Sequence, residues 1–356
     1  MKIRYQMQNI AWVGVILISL FASSCSAPGP YIALDGASQV PPSSGGVAGY
    51  ILPICSGEQG ITDQFGGYIG KIGGADLMGA NNPDGLINTN STSSAFNVTD
   101  AQEANYNDVT AGLNAGVGAG GYWMLGGPQP YDNLNLNDMP TPIADQFSVL
   151  PAFAQSMTLA WKWGYIQGLD AIDDWIANIS SVVPLNFPFI WADVEKNVMQ
   201  FIWKDGSTHT STDNYWDLGT AASDYQANRD VWDGFYSGVY GVVQSQRVVE
   251  LQGMYSSPGW WDAITGNLNG ISNPEWTSES EFAAGNPTQG TCPTSFSSSP
   301  GAQFFGGQPS SGGGADAIAW QWIEGKGTQP QSDYDYIQYN NVISCEVSSS
   351  NLQDCT

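Results

Sequence analysis

The sequence predicts an α/β fold in which parallel strands and helices form a TIM-type β/α barrel with long loops. Short apolar segments are typical of strands, and segments with helical spacing lie between several of them. Strands that alternate with helices are parallel and joined by crossover connections. No Gly-rich phosphate loop of the dinucleotide-binding kind follows the first strand, which favours a closed barrel over an open sheet.

Six segments predict strands, and three longer ones predict helices. The strand segments, in chain order, are YIALD, GYILPI, GAGGYWML, FPFIWADVE, VVELQGMYS and AIAWQW. The first helix begins near Thr99 and ends at Gly116, the second has apolar residues every three or four positions from Trp161 to Ile176, and the third is SDYQANRDVWDGFYSGVYGVVQSQ. Segments rich in Gly, Ser, Asn and Pro separate these elements without a break that demands a second domain, so residues 28–356 are expected to form one domain.

Composition excludes some classes of partner. The 356 residues include 9 Lys and Arg against 33 Asp and Glu, a net charge of -24 that repels nucleic acid and anionic lipid. The single histidine, His209, lies in a segment that predicts a loop, which argues against a His-based metal site and against a Ser-His hydrolase. We therefore expect no metal and no cofactor.

The first 27 residues have the pattern of a secretion signal. Lys2 and Arg4 precede an apolar run at residues 10–22, and small residues follow. That run is short for a membrane span. We expect a secreted or extracellular protein; an uncleaved anchor, or lipid attachment to the cell envelope through Cys25, is the alternative.

The cysteine count fits an exported chain. Without Cys25, four cysteines remain, and an even number predicts two disulfides. These four are Cys55, Cys292, Cys345 and Cys355, and of the three connectivities the pair Cys345–Cys355 is the most local. Glycan acceptor sequences occur at Asn90, Asn97 and Asn178.

Two carboxylates separated by one valine end the segment PFIWADVE. Positions two apart on a strand point to the same side, so Asp193 and Glu195 are expected to face one cavity at the carboxyl end of a barrel strand. Two acids that close in a dry cleft cannot both ionise cheaply, so one is expected to keep its proton and the other its charge. Glycoside hydrolysis needs such a pair. The alternative interpretation is a pair of solvated loop acids.

Three further acids and six aromatic residues extend this candidate site. Asp35 closes the first strand, and Asp333 and Asp335 come just beyond the last predicted strand, so all three would converge with the central pair in a barrel. Each could instead cap a turn or carry a solvated charge. Aromatic faces stack on sugars, and the candidates, for which core packing is the alternative, are Tyr122, Trp123, Trp191, Tyr255, Trp320 and Trp322.

These residues resemble glycoside hydrolase family 25, the secreted lysozymes that cleave peptidoglycan with a modified TIM-type barrel, and related glycoside-hydrolase-like barrels. The similar segments run in order along the chain: YIALDGAS, NYNDVTAGLNAGVGAGGYWML, IWADVE, GMYSSPGWWDAITG, and AIAWQW followed by DYDYIQYN. The segment from tyrosine to the two tryptophans is the most specific. Trp123 stands where the family has histidine, the segment NPEWTSESEF is only loosely similar, and the loop at residues 128–142 is enlarged.

The resemblance implies residue roles and a function. Glu195 would be the general acid, Asp193 would stabilise charge or orient the intermediate, and Asp35 with Asp333 or Asp335 would bind sugar or tune the acid. The function expected from the resemblance is a retaining glycosidase acting on an amino-sugar polymer such as peptidoglycan. The alternative is a catalytically inactive glycan-binding or structural surface protein that self-assembles at the cell surface.

Overall fold

The computed structural model of the protein describes residues 31–36, 67–74, 118–129, 147, 150–178, 181–196, 199–202, 208–243, 252–266, 268, 275–278, 317–323, 333–337, 342–348 and 351–355. Several predicted features lie outside these residues. They are the secretion signal, the strand GYILPI, the helix that ends at Gly116, and the sites Cys25, Cys55, Cys292, Asn90 and Asn97.

Within the described residues there are twelve strands. They are β1 (Tyr31–Gly36), β2 (Gly67–Gly74), β3 (Gly118–Met124), β4 (Ser181–Asp193), β5 (Met199–Ile202), β6 (Thr208–Ser211), β7 (Gln252–Ser256), β8 (Glu275–Ser278), β9 (Ala317–Ile323), β10 (Asp333–Ile337), β11 (Val342–Ser348) and β12 (Asn351–Cys355). The described helices are α1 (Ala152–Gln155), α2 (Leu159–Asn178), α3 (Ala222–Val243) and α4 (Pro258–Thr265).

Eight of the strands close into a barrel. The pairs β1–β2, β2–β3, β3–β4, β4–β7, β7–β8 and β8–β9 are parallel. β10 then pairs antiparallel with both β9 and β1, which completes the ring. This arrangement confirms the predicted α/β barrel, with one reversed strand as its modification.

Three details differ from the sequence-based expectations. The segment GYIGKIGG forms β2, although its four glycines hide the strand pattern, because its neighbours β1 and β3 supply pairing on both sides. Asp333 and Asp335 lie within the strand β10 and not in a loop after the last strand. His209 lies in the strand β6, opposite Phe201 of β5, and not in a loop.

The strands β11 and β12 extend the sheet beyond the barrel from β4. The first half of β4 pairs antiparallel with β11, and β11 pairs in turn with β12. The register places Cys345 on β11 directly opposite Cys355 on β12.

The helices α2 and α3 pack against each other unusually closely. Gly164 and Gly168 of α2 face the backbone of α3, while Gly234 and Gly238 of α3 face the backbone of α2. A side chain at any of these four positions would collide with a backbone carbonyl of the other helix. Of the helices described, none is both long enough and apolar enough to cross a bilayer.

The short helix α4 has defined ends. Ser257 caps its first turn by accepting a hydrogen bond from the Trp260 N–H at 3.2 Å, and Pro258 occupies the first helical position. Gly266 ends the helix in the left-handed conformation, with a φ of 62°. These signals fix where the chain leaves β7, which is next to the end of β4.

Candidate active site at the carboxyl end of the barrel

The register places four of the five predicted acids at one end of the barrel, and the fifth, Glu195, follows two residues after the end of β4. Asp193 is the last residue of β4, and Asp35 is the second-last residue of β1. Because β10 runs in the opposite direction, its first residues lie at that same end, with Asp333 opposite Asp35 and Asp335 opposite Ala33. The carboxyl ends of parallel barrel strands are where functional groups gather.

The barrel interior is filled by residues from five different strands. The buried cluster contains Ile69, Trp191, Tyr255, Trp276 and Ala319, and the half-buried Tyr122 packs against it. Residues of strands as far apart in the ring as β2 and β9 can share a cluster only inside the barrel. Since side chains alternate along a strand, these residues define the inner face of each strand.

Four of these residues form what we call the inner aromatic cluster: Tyr122, Trp191, Tyr255 and Trp276. Trp276 lies at its centre, with ring centroids 4.4 Å from Tyr255, 5.5 Å from Trp191 and 6.2 Å from Tyr122. The Tyr255 hydroxyl donates a buried hydrogen bond of 2.6 Å to Oε1 of Gln321.

Asp193 belongs to the inner face, two residues beyond Trp191, and it is only 2% exposed. Asp35 pairs with Ile69 and with Asp333, and Asp335 pairs with Gln321. Because paired residues of neighbouring strands share a face, the backbone positions of these three acids belong to the inner face. These backbone positions share one face and one end of the barrel, and the convergence of their side chains stays a prediction.

Glu195 lies beyond the strand, at a bend, and is half-buried. The alternation that was expected to place both acids on one side consequently applies to Asp193 alone. The intervening Val194 is buried and stays attached to β7, since its N–H donates to the Tyr255 carbonyl at 2.8 Å and its carbonyl accepts from Ser256 Oγ at 2.6 Å. The Glu195 carbonyl accepts hydrogen bonds from Asn214 Nδ2 and Trp216 Nε1, both at 3.0 Å.

The predicted aromatic residues divide between the two faces of the strands. Tyr122, Trp191 and Tyr255 belong to the inner cluster. Trp123 is fully buried on the outer face, where its Nε1 donates to Gln167 of α2 at 3.3 Å and its ring lies 6.5 Å from Phe235 of α3. This placement gives Trp123 a packing role between the barrel and the helices.

The register assigns Trp320 to the outer face of β9. Trp320 pairs with Thr277 and Tyr336, whereas the inner residue Ala319 pairs with Trp276. The register shift between Gln321 and Ile323 skips Trp322, so the register assigns no face to Trp322. Trp320 and Trp123 therefore lie outside the inner-face site.

Sequence reasoning missed Trp276 and Gln321, which belong to the inner face. The available signal was alternation: in AIAWQW the polar Gln321 stands between two tryptophans, and in the short segment EWTS a single tryptophan is flanked by polar residues. A polar residue on the inner face near a strand end is typical of a binding site.

The rim next to Glu195 carries an aromatic side chain and a cation. Trp260, in the first turn of α4, is 37% exposed, and Lys196 Nζ lies 4.7 Å from the centre of its ring. In the part of the chain that the structure describes, no group of three or more His, Cys, Asp or Glu side chains is arranged to hold a metal ion.

No protein-family model matches the sequence, and no curated protein matches it. Among solved structures, the chain is similar to the bacterial lysozyme from Streptomyces coelicolor, with 14% identity and a TM-score of 0.41 over 88% of this chain and 94% of that one. It is also similar to a muramidase from Acremonium alcalophilum, with 12% identity and a TM-score of 0.38 over 88% and 94% of the two chains. A family GH25 lysozyme from Aspergillus fumigatus has 13% identity and a TM-score of 0.35 over 87% and 94%. At this distance no residue role is transferred from these enzymes to the chain.

Proposed function

We propose that the protein is a glycoside hydrolase that cleaves an amino-sugar polymer such as peptidoglycan by carboxylate acid catalysis. The observation that carries the proposal is the position of Asp193, a nearly fully buried carboxylate at the carboxyl end of β4, directly above Trp191 of the inner aromatic cluster. The half-buried Glu195 follows two residues later.

The chemistry asks for two carboxyl groups in different environments. Two neighbouring carboxyl groups do not both ionise readily, so one keeps its proton while the other carries the charge. The assignment of these two roles to Glu195 and Asp193 follows the resemblance to glycoside hydrolase family 25. In the proposed mechanism Glu195 protonates the leaving glycosidic oxygen as the bond to the sugar carbon breaks, while Asp193 stabilises the positive charge that develops on the sugar ring. Water then adds to that carbon and gives a proton back to Glu195. Asp35, Asp333 and Asp335 would bind sugar hydroxyls or tune the acid from the opposite side of the barrel mouth.

The inner aromatic cluster supports a sugar as the ligand. Tyr122 packs against the cluster and is half-buried, and stacking of a sugar on an aromatic face excludes water from neighbouring groups. The acidic net charge of -24 argues for a substrate that is not a nucleic acid.

We also propose that the protein works outside the cytoplasm. Cys345 is disulfide-bonded, and Cys355 lies opposite it in the register, which supports the predicted local pairing. Disulfides persist in oxidising compartments, and the predicted signal at residues 1–27 leads to the same location.

Glu195→Gln is the direct test of the enzyme proposal. The change keeps the size of the side chain but removes the proton that the leaving group needs, so release of reducing ends from purified peptidoglycan should fall at least about 100-fold. Glu346→Gln is the matched control, since Glu346 is exposed on β11, outside the barrel, and its loss should leave the rate unchanged.

The result that contradicts the proposal is an active Glu195→Gln variant with the rate of the parent protein. If the unmodified protein binds cell walls and releases no reducing ends, the alternative of an inactive glycan-binding protein takes its place. Circular dichroism and urea unfolding of each variant establish that the fold is retained.

A further inference from the structure

The turn between β6 and α3 has an unusual backbone. Asn214 and Tyr215 are two successive residues in the left-handed region, with φ angles of 53° and 61°. Asparagine tolerates this conformation, but a residue with a bulky side chain adopts it rarely, at a cost of about 1–2 kcal/mol. Such strain persists only where the surrounding structure over-determines it, and it tends to occur at functional sites.

The strained turn directs two side chains at the carbonyl oxygen of Glu195. Asn214 Nδ2 and Trp216 Nε1 each donate to it at 3.0 Å, and both residues are fully buried. A carbonyl oxygen has two acceptor sites, and these two donors occupy both of them. We call Asn214 and Trp216 the carbonyl clamp.

Three hydrogen bonds hold the clamp in place. Ser211 Oγ accepts from the Tyr215 N–H at 3.0 Å, so the end of β6 fixes the turn from one side. From the other side, the Gly127 N–H donates to the Asn214 carbonyl at 2.7 Å and the Gln129 N–H donates to the Tyr215 carbonyl at 3.0 Å. Gly127 can carry no side chain, because a Cβ would lie 2.5 Å from the backbone nitrogen and Cα of Trp216.

The loop that supports the clamp is itself fixed to α2. Gln167 accepts from the Gly126 N–H at 2.9 Å and donates to the Gly126 carbonyl at 3.0 Å, and Trp163 Nε1 donates to the same carbonyl at 3.0 Å. A continuous chain of hydrogen bonds therefore runs from the helix layer to the peptide that carries Glu195.

We propose that Asn214 and Trp216 are positioning residues that set the direction in which the Glu195 carboxyl group enters the cleft; this inference rests on the proposed glycosidase function. Glu195 lies at a bend beyond the end of β4, so no strand ladder fixes its backbone. The two hydrogen bonds of the clamp fix the Glu195 backbone in place of strand pairing. The clamp binds only the backbone oxygen, so it orients the residue without competing for the carboxyl group.

Trp216→Phe and Asn214→Asp test the clamp. The first keeps the ring and removes the indole donor, and the second keeps the shape and the tolerance of a left-handed backbone but removes the amide donor. We expect kcat for peptidoglycan cleavage to fall by about 10- to 100-fold because the acid is misplaced, with KM changed by less than about twofold. The pH profile of kcat should also shift, because the carboxyl group changes its surroundings.

Asn228→Asp is the matched control. Asn228 is 1% exposed, and its Nδ2 donates to the backbone carbonyls of Asp217 and Ile264 at 2.7 and 2.6 Å, but it does not contact Glu195. The control loses comparable buried hydrogen bonds, so it should lose stability while its kcat per folded molecule and its pH profile stay those of the parent.

The positioning role of the clamp and the proposed enzyme function are contradicted by different results. Folded clamp variants with the parent kcat and pH profile, beside an inactive Glu195→Gln, overturn the clamp and leave the enzyme proposal standing. An equal fall in kcat for Asn228→Asp also overturns it, because the effect would then be general destabilisation. A parent protein that releases no reducing ends, or an active Glu195→Gln, overturns the function and the positioning role together.

Discussion

Replacing Gly164 by alanine tests the close contact between α2 and α3. A Cβ at this position would fall well inside 3.0 Å of the Val231 carbonyl oxygen, a separation that real Cβ atoms essentially never show. The obstacle is backbone, so no side-chain rotation can relieve it, and the helix axes would have to separate. Their separation would loosen the contact at Gly168, Gly234 and Gly238, which depend on the same close approach.

Two effects of opposite sign decide the magnitude. Alanine in place of glycine inside a helix gains up to about 1 kcal/mol of intrinsic helix stability. Overpacking of a tight contact costs about 1–3 kcal/mol. The cost of Gly164→Ala lies at the upper end of this range, because the new Cβ meets the rigid backbone of α3 and the whole helix interface must adjust. The expected net loss in the free energy of unfolding is therefore about 2 kcal/mol.

Urea unfolding under oxidising conditions measures this change, as a lower midpoint with an unchanged slope. Gly259→Ala is the control, since Gly259 is exposed in α4 and a Cβ added there would have no atom within 4 Å, so this variant should gain between zero and about 1 kcal/mol. A Gly164→Ala protein as stable as the parent, with the control behaving as expected, would refute the close-contact reasoning.

Two further predictions concern tyrosines at the site. Burial, and secondarily the charge of Asp213, raises the pKa of Tyr215 to about 12 from 10.0, so below pH 10 both folded and unfolded states are neutral, and above it the unfolded state ionises first. Stability should fall by about 2 kcal/mol between pH 10 and 12, and Tyr215→Phe should remove that part of the alkaline loss seen in urea unfolding. Identical pH slopes for the two proteins would contradict the assignment. Tyr255→Phe removes the donor of the 2.6 Å hydrogen bond to the buried Gln321 oxygen and should lower the free energy of unfolding by about 1–3 kcal/mol. A double-mutant cycle with Gln321→Met should give a coupling energy of at least about 0.5 kcal/mol. A coupling energy of zero would mean that this hydrogen bond contributes nothing to stability.

The sequence was sufficient to predict the barrel, since five of its strands are apolar runs with turn residues between them. It was insufficient for β2, because glycine carries no side-chain pattern, and for the direction of β10, because strand polarity depends on pairing with β1 and β9. Local sequence does not encode that pairing.

Inner and outer faces were harder still to distinguish. A barrel strand is covered by helices on one side and by the opposite strands on the other, so both faces are apolar. Trp320 and Trp322 were therefore as plausible as Trp276, and the register assigns Trp320 to the outer face. Within AIAWQW, the position of Gln321 between them was the polar signal of the inner face.

The carbonyl clamp had no sequence signature at all. Asn214 and Trp216 come from a turn 19 and 21 positions beyond Glu195, and they contact a backbone oxygen, which every residue possesses. A hydrogen bond to a backbone oxygen does not depend on the residue type at that position, so the sequence gives no sign of it.

The strand β4 has three neighbours, because β11 holds its first half while β3 and β7 hold its second. Asp193 is thus the last residue of the strand that pairs with more neighbours than any other described strand of the barrel. Lys196 follows the end of β4 and Trp260 lies in the first turn of α4, so neither of these rim residues belongs to a barrel strand. Under the proposed function, substitutions in the loops at the barrel mouth could change the polymer that is bound while the carboxylates at the strand ends keep their positions.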